Sequence, residues 1–155
     1  MLKYKQVEIP EQKAKICNSI LHTLPEWFGV ESSINDYVNT VKNMPFWVAF
    51  DGDNPIGFIA LKVHNIYTSE IYVMGILPQY HRQGIGTHLI ENCESFCRSQ
   101  QKDFLTVKTL DGSVQSDSYA KTRKFYLAMK FCPLEVFPLY WDKDNPCLFM
   151  IKFIG

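Results

Sequence analysis

The alternation and helical spacing of apolar residues account for most of the chain. Residues 2–9, LKYKQVEI, alternate apolar and polar side chains and predict an edge strand ended by Pro10. Between 11 and 24, Ala14, Ile16, Cys17, Ile20, Leu21 and Leu24 recur at roughly helical spacing. LPEWFGV breaks that helix with Pro25 and Gly29, and a second is predicted from about 31 to 43, with Ile34, Tyr37, Val38 and Val41 on one side. FWVAF (46–50) and IGFIALKV (56–63) flank DGDN, whose residues suit a hairpin turn. SEIYVMGIL (69–77) is a third consecutive strand. An amphipathic helix follows over 84–100, with Ile85, Leu89, Cys93, Phe96 and Cys97 facing inward. FLTVKTL (104–110) is a strand, DSYAKTRKFYLAMK (117–130) a helix, and FCPLEVFPLYW and PCLFMIKFI two closing strands.

A helix between the strands at 69–77 and 104–110 implies a right-handed parallel crossover, while the hairpins are antiparallel. The expectation is an α/β fold: a mixed, mostly antiparallel sheet of about seven strands with helices on both faces. Ligands of such sheets bind beyond the carboxyl ends of strands, where connections diverge. The glycines Gly84 and Gly86 fall at such a place.

Composition narrows the partners. A chain of 155 residues, 46% hydrophobic and 14% aromatic, suits one ordinary domain spanning 1–155. Sixteen basic and sixteen acidic residues leave no net field, which argues against nucleic acid or an anionic membrane as partner. No stretch resembles a signal peptide or could span a bilayer. Cys17, Cys93, Cys97, Cys132 and Cys147 show no spacing suited to a metal or a redox dithiol. A soluble, reduced, cytoplasmic protein without a metal is the expectation.

PQYHRQGIGTHL, residues 78–89, sets two glycines one residue apart at the start of a helix, where unpaired N–H groups and the macrodipole favour an anion. A Walker loop needs four residues between its glycines and a following Lys-Ser/Thr, and neither is present. A dinucleotide fingerprint needs a third glycine where Leu89 stands. With its preceding strand, the segment instead resembles the coenzyme A site of the GNAT superfamily of N-acetyltransferases. That motif, Gln/Arg-x-x-Gly-x-Gly/Ala, falls on His81-Arg82-Gln83-Gly84-Ile85-Gly86, with His81 departing from its first position. The order of elements is also that superfamily's order.

The resemblance implies a splay between the fourth and fifth strands and a pyrophosphate wrapped by the amides of Arg82, Gln83, Gly84, Ile85, Gly86 and Thr87. Around Gly75, the backbone of Met74 and Ile76 would pair with pantetheine amides, and the Met74 N–H would assist the oxyanion. The alternative for Gly75 is a packing glycine. An alkylammonium of pKa about 10.4 must lose a proton before it attacks. Glu70 lies where several members carry a catalytic glutamate. Tyr126, in FYLAMKF, lies where the family's tyrosine stands near the thioester sulfur; a phenol of pKa about 10 is an approximate match to a thiol of about 8.5. Lys130 replaces the usual glycine before Phe131, so a different turn is expected there. Trp27, Phe28, Tyr140, Trp141 and Asp142 lie in segments that line the acceptor cleft of relatives; scattered core aromatics explain them equally well. The implied activity is acetyl transfer from acetyl-CoA to a primary amine of a small molecule or peptide. A coenzyme A-binding sensor without turnover is the alternative, and pairing of two copies stays open.

Overall fold

The computed structural model describes all 155 residues. Its elements run β1 (Leu2–Gln6), α1 (Pro10–Leu21), α2 (Glu31–Thr40), β2 (Phe46–Asp51), β3 (Asn54–Val63), β4 (Thr68–Ile76), α3 (Ile85–Ser99), β5 (Phe104–Leu110), α4 (Asp117–Ala128), β6 (Cys132–Asp142) and β7 (Asn145–Phe153). The strands form a seven-stranded mixed sheet in the order β1-β2-β3-β4-β5-β7-β6, with β4 and β5 parallel. The α/β order read from the sequence is the order observed.

Several boundaries shift, two of them for evident physical reasons. The first strand ends at Gln6 rather than at Pro10, which instead occupies the first turn of α1, where its fixed φ is preorganised and its missing N–H costs nothing. The predicted second helix tightens at its end into a 3-10 turn over Val41–Asn43. The buried Lys13 ammonium reaches over from α1 and donates to the Met44 carbonyl at 2.6 Å.

The chain packs as two compact units, Met1–Lys62 with Ile71–Phe96, and Val63–Glu70 with Cys97–Gly155. In the first, α1 and α2 bury Cys17, Ile20, Leu21, Leu24 and Ile34 against Phe46, Val48, Phe58, Ala60 and Val73. The other face of these strands takes α3: a side chain at Gly57, next to Phe58, would meet Ile85. Helices therefore cover both faces of this unit. In the second unit, β7 pairs antiparallel with both β5 and β6. Helix α4 opens on Ser116, whose hydroxyl accepts from the Tyr119 N–H at 3.2 Å.

The end of α4 explains the expected departure at Lys130. The Lys130 N–H bonds the Leu127 carbonyl and the Phe131 N–H bonds the Tyr126 carbonyl, each at 3.0 Å, which is a Schellman motif. Lys130 takes the left-handed conformation, φ 74°, that the motif normally gives to glycine. The turn is kept and the lysine is strained to keep it, so the expected change of turn does not occur.

Candidate active site

The first unit carries the glycine turn. After β4, a 3-10 turn at Pro78–Tyr80 is fastened by the Tyr80 hydroxyl, which donates to Asp51 at 2.6 Å. That bond holds the Asp51 carboxyl below its ordinary value. The backbone then turns left-handed at Arg82 (φ 62°) and Gly84 (φ 80°). Arg82 is a non-glycine residue in a costly region, and such strain concentrates at functional sites. A side chain built on Gly84 would meet nothing within 4 Å, so that backbone is uncovered. The Gly84 carbonyl accepts from the His88 N–H at 3.1 Å, which starts α3. First-turn amides at Ile85, Gly86 and Thr87 have no acceptor within the helix. An uncovered glycine, a left-handed turn and a helix start together fit an anionic phosphate.

His81, the departure from the motif, has its own task. Its Nε2 donates to the Ile76 carbonyl at 2.7 Å, and its ring meets Trp27 edge-on at 5.9 Å. It ties the glycine turn to the end of β4. Gln83 does similar work, its side-chain amide donating to the Gln79 carbonyl at 3.1 Å. Gly75 is explained by packing: a Cβ there would lie 3.1 Å from Ile20 and from Leu24, and 3.3 Å from Phe58. Met74 and Ile76 flank it on β4.

Trp27 and Phe28 are partly buried against the α1–α2 core, and Phe28 joins an edge-to-face chain through Tyr37 to Tyr72 of β4. Both take part in the packing of that core.

The second unit carries Glu70 and Tyr126. Glu70 is buried, 3% exposed, and both its carboxylate oxygens are engaged. His64 Nε2 lies 2.6 Å from Oε1, and the Lys108 ammonium donates to Oε2 at 2.6 Å. Lys108 also lies 4.9 Å from the Phe149 ring centroid and 5.4 Å from that of Tyr140, both within cation–π range. Glu70 is thus the centre of a three-member hydrogen-bonded cluster rather than a free strand-end carboxylate. Reading the sequence missed both partners. Lys108 left a signal, as the one charge inside the otherwise apolar and hydroxyl-bearing FLTVKTL. His64 left none beyond its place at the end of a hairpin strand.

Tyr126 is buried at 6% exposure, with its ring edge-on to Phe131 at 5.7 Å. Burial pushes its phenol above the ordinary 10.0, with Tyr119 adding to the rise. The match to a departing thiol expected from the sequence therefore widens: Tyr126 stays a protonated donor across the neutral range but holds that proton more tightly. Tyr140 and Trp141 are half exposed on β6, whereas the Asp142 carboxylate accepts from the Asp144 N–H and the Asn145 amide, both at 2.9 Å. Asp142 shapes the β6–β7 turn.

A family model of the acetyltransferase (GNAT) family matches residues 15–131. No curated protein matches the sequence. Among solved structures, a GNAT-family acetyltransferase from Desulfovibrio desulfuricans superposes with a TM-score of 0.86 at 15% identity, covering 100% of both chains. An aminoglycoside 6′-N-acetyltransferase complexed with coenzyme A gives 0.78 at 20% identity, covering 99% of this chain and 97% of its own. The ribosomal-protein-S18-alanine N-acetyltransferase from Escherichia coli gives 0.78 at 15% identity, covering 100% and 95%. At these identities the structures share the fold, and it is the family model, spanning most of the sequence, that assigns the chain: it belongs to the GNAT acetyltransferases.

Proposed function

We propose that this protein transfers an acetyl group from acetyl-CoA to a primary amine of a small molecule or peptide, directly, within a ternary complex. The observation that carries the reading is the left-handed turn at Arg82 and Gly84 opening into α3. When bound, acetyl-CoA supplies an acetyl group already activated as a thioester. The amides from Arg82 to Thr87 receive the pyrophosphate, and the Arg82 guanidinium adds a charge-assisted contact. Met74 and Ile76 offer backbone groups to the pantetheine arm, and the Met74 N–H supports negative charge on the acetyl oxygen.

On the acceptor side, the chain must remove a proton from an alkylammonium, a cost of roughly 1.36 kcal/mol for each pKa unit above the working pH. Glu70 anchors the proton-removing group. Tyr126 donates a hydrogen bond to the leaving sulfur. Tyr140 and Trp141 offer half-exposed aromatic faces to an amine cation. The structural neighbours include enzymes for aminoglycosides and for an alanine of a ribosomal protein, so both classes belong in a substrate screen.

The engagement of both Glu70 oxygens gives one reason to keep a second reading, a coenzyme A-binding protein without turnover. Release of free thiol from acetyl-CoA, measured against aminoglycosides, polyamines and peptide amines, separates the two. Amine-dependent release supports the transferase. Coenzyme A binding with no release from any amine supports the sensor.

A further inference from the structure

We infer that the group which takes the acceptor's proton is His64, through Nδ1, and that Glu70 is its positioning residue. The inference rests on the acetyl-transfer reading and deepens it. Its basis is the cluster of His64, Glu70 and Lys108 in the second unit.

Glu70 itself is poorly placed to meet an amine. Its side chain is 4% exposed, and the Lys108 ammonium already sits 2.6 Å from one oxygen. A second cation arriving there meets Lys108's charge as well as the carboxylate's, so the attraction of the anion is largely cancelled. His64 is the exposed member, its side chain 34% accessible. An acceptor coming from solvent reaches the imidazole before the carboxylate.

The hydrogen bond fixes which ring nitrogen can work. A carboxylate only accepts, so Nε2 must carry the hydrogen that points at Glu70 Oε1. In the neutral ring this leaves the lone pair on Nδ1. An ammonium gives its proton to Nδ1, directly or through water. The N–H electron pair stays on the amine and becomes its nucleophilic lone pair. The imidazolium so formed keeps its Nε2–H bond to a carboxylate anion, and later releases the Nδ1 proton to bulk water.

The turn that carries His64 is well fastened. Its N–H bonds the Thr68 carbonyl at 3.0 Å, and the Asn65 side chain accepts from the Tyr67 and Thr68 N–H groups at 2.8 and 3.0 Å. Lys102 grips the Asn65 carbonyl at 2.6 Å. The imidazole is bonded to Glu70 of β4, Glu70 in turn to Lys108 of β5, and Lys102 holds the backbone of the turn at Asn65. Cys147 of β7 lies on the Lys108 side of the cluster, since Lys108 and Glu70 both act on its thiol. Lys108 binds the far oxygen of Glu70, leaving Oε1 to the imidazole.

The test uses the whole protein and the amine that gives the fastest thiol release in the screen. His64→Ala should lower single-turnover acetyl transfer by roughly 10²-fold at neutral pH, and by less as pH rises and free amine forms unaided. Added imidazole should restore much of the lost rate. His64→Gln, which keeps an amide donor for Glu70 but no proton acceptor, should lose as much as His64→Ala. Both variants should keep the parent's melting shift with coenzyme A. If either variant transfers acetyl within about twofold of the parent, or the loss is independent of pH and indifferent to imidazole, the inference is overturned and the transferase reading stands. If the parent binds coenzyme A yet acetylates no amine, the inference and the reading fall together.

Discussion

Tyr126 and Phe131 are joined twice: the Phe131 N–H bonds the Tyr126 carbonyl at 3.0 Å, and their rings meet edge-on at 5.7 Å. This is the hydrogen bond of a Schellman motif with its hydrophobic contact. The same device that ends α4 therefore fixes the candidate proton donor. Its weak point is the left-handed lysine between them.

Lys130→Gly should relieve that strain. A left-handed L-residue costs about 1–2 kcal/mol, partly offset by the extra freedom glycine gives the unfolded chain. A net gain of about 1 kcal/mol raises the melting temperature of a chain this size by roughly 2–4 °C. A lower melting temperature would mean that the Lys130 side chain contributes more than its backbone costs.

Tyr126→Phe removes one hydroxyl and keeps the ring contacts. Coenzyme A affinity should stay near the parent's, while single-turnover transfer falls by roughly 10²-fold. Because burial raises this phenol, Tyr126 stays protonated through the neutral range, and its loss should cost the same factor throughout that range. An unchanged rate would make Tyr126 a packing residue alone.

Buried thiols should contribute to the alkaline loss of stability, beside the raised phenols of Tyr119 and Tyr126. Burial pushes Cys17 from 9.0 up to about 12 and Cys147 up to about 11. A group whose folded value is raised stabilises fully below its unfolded value, and that contribution is lost as pH rises through the folded one. Melting temperature should hold to about pH 9 and fall between about 9 and 12. Cys17→Ala should flatten that fall, at the cost of a lower melting temperature at neutral pH from the lost sulfur packing.

Gly75→Ala tests whether this glycine serves packing. Its Cβ would sit 3.1 Å from Ile20 and Leu24, tighter than ordinary contact. Overpacking of this kind costs typically 1–3 kcal/mol, and chemical denaturation should show that loss. An unchanged midpoint would show that α1 moves aside freely.

Local signals explain what the sequence disclosed. Every strand and helix could be placed from periodicity and turn residues, β5 at its observed bounds, because these signals lie within a few neighbouring residues. The glycine turn was legible for the same reason. The cluster around Glu70 was not. Lys108 is 38 residues away along the chain, and no periodicity states which strand lies beside which. His81 shows the same limit: it departs from the family motif, yet its bond to the Ile76 carbonyl gives it a positioning task that only the fold makes visible. Lys130 was read as altering a turn because residue preference is a weaker constraint than the hydrogen bonds that close the helix.

The central claim is that the turn from Arg82 to Thr87 holds coenzyme A. Calorimetric titration of coenzyme A into the parent and into Gly86→Glu tests it most directly. The substitution places a negative side chain at the helix start, against the ligand's own charge. The account predicts binding to the parent and none to a Gly86→Glu variant that still melts cooperatively, with NAD and ATP binding neither. Unchanged coenzyme A affinity in the folded variant would contradict it.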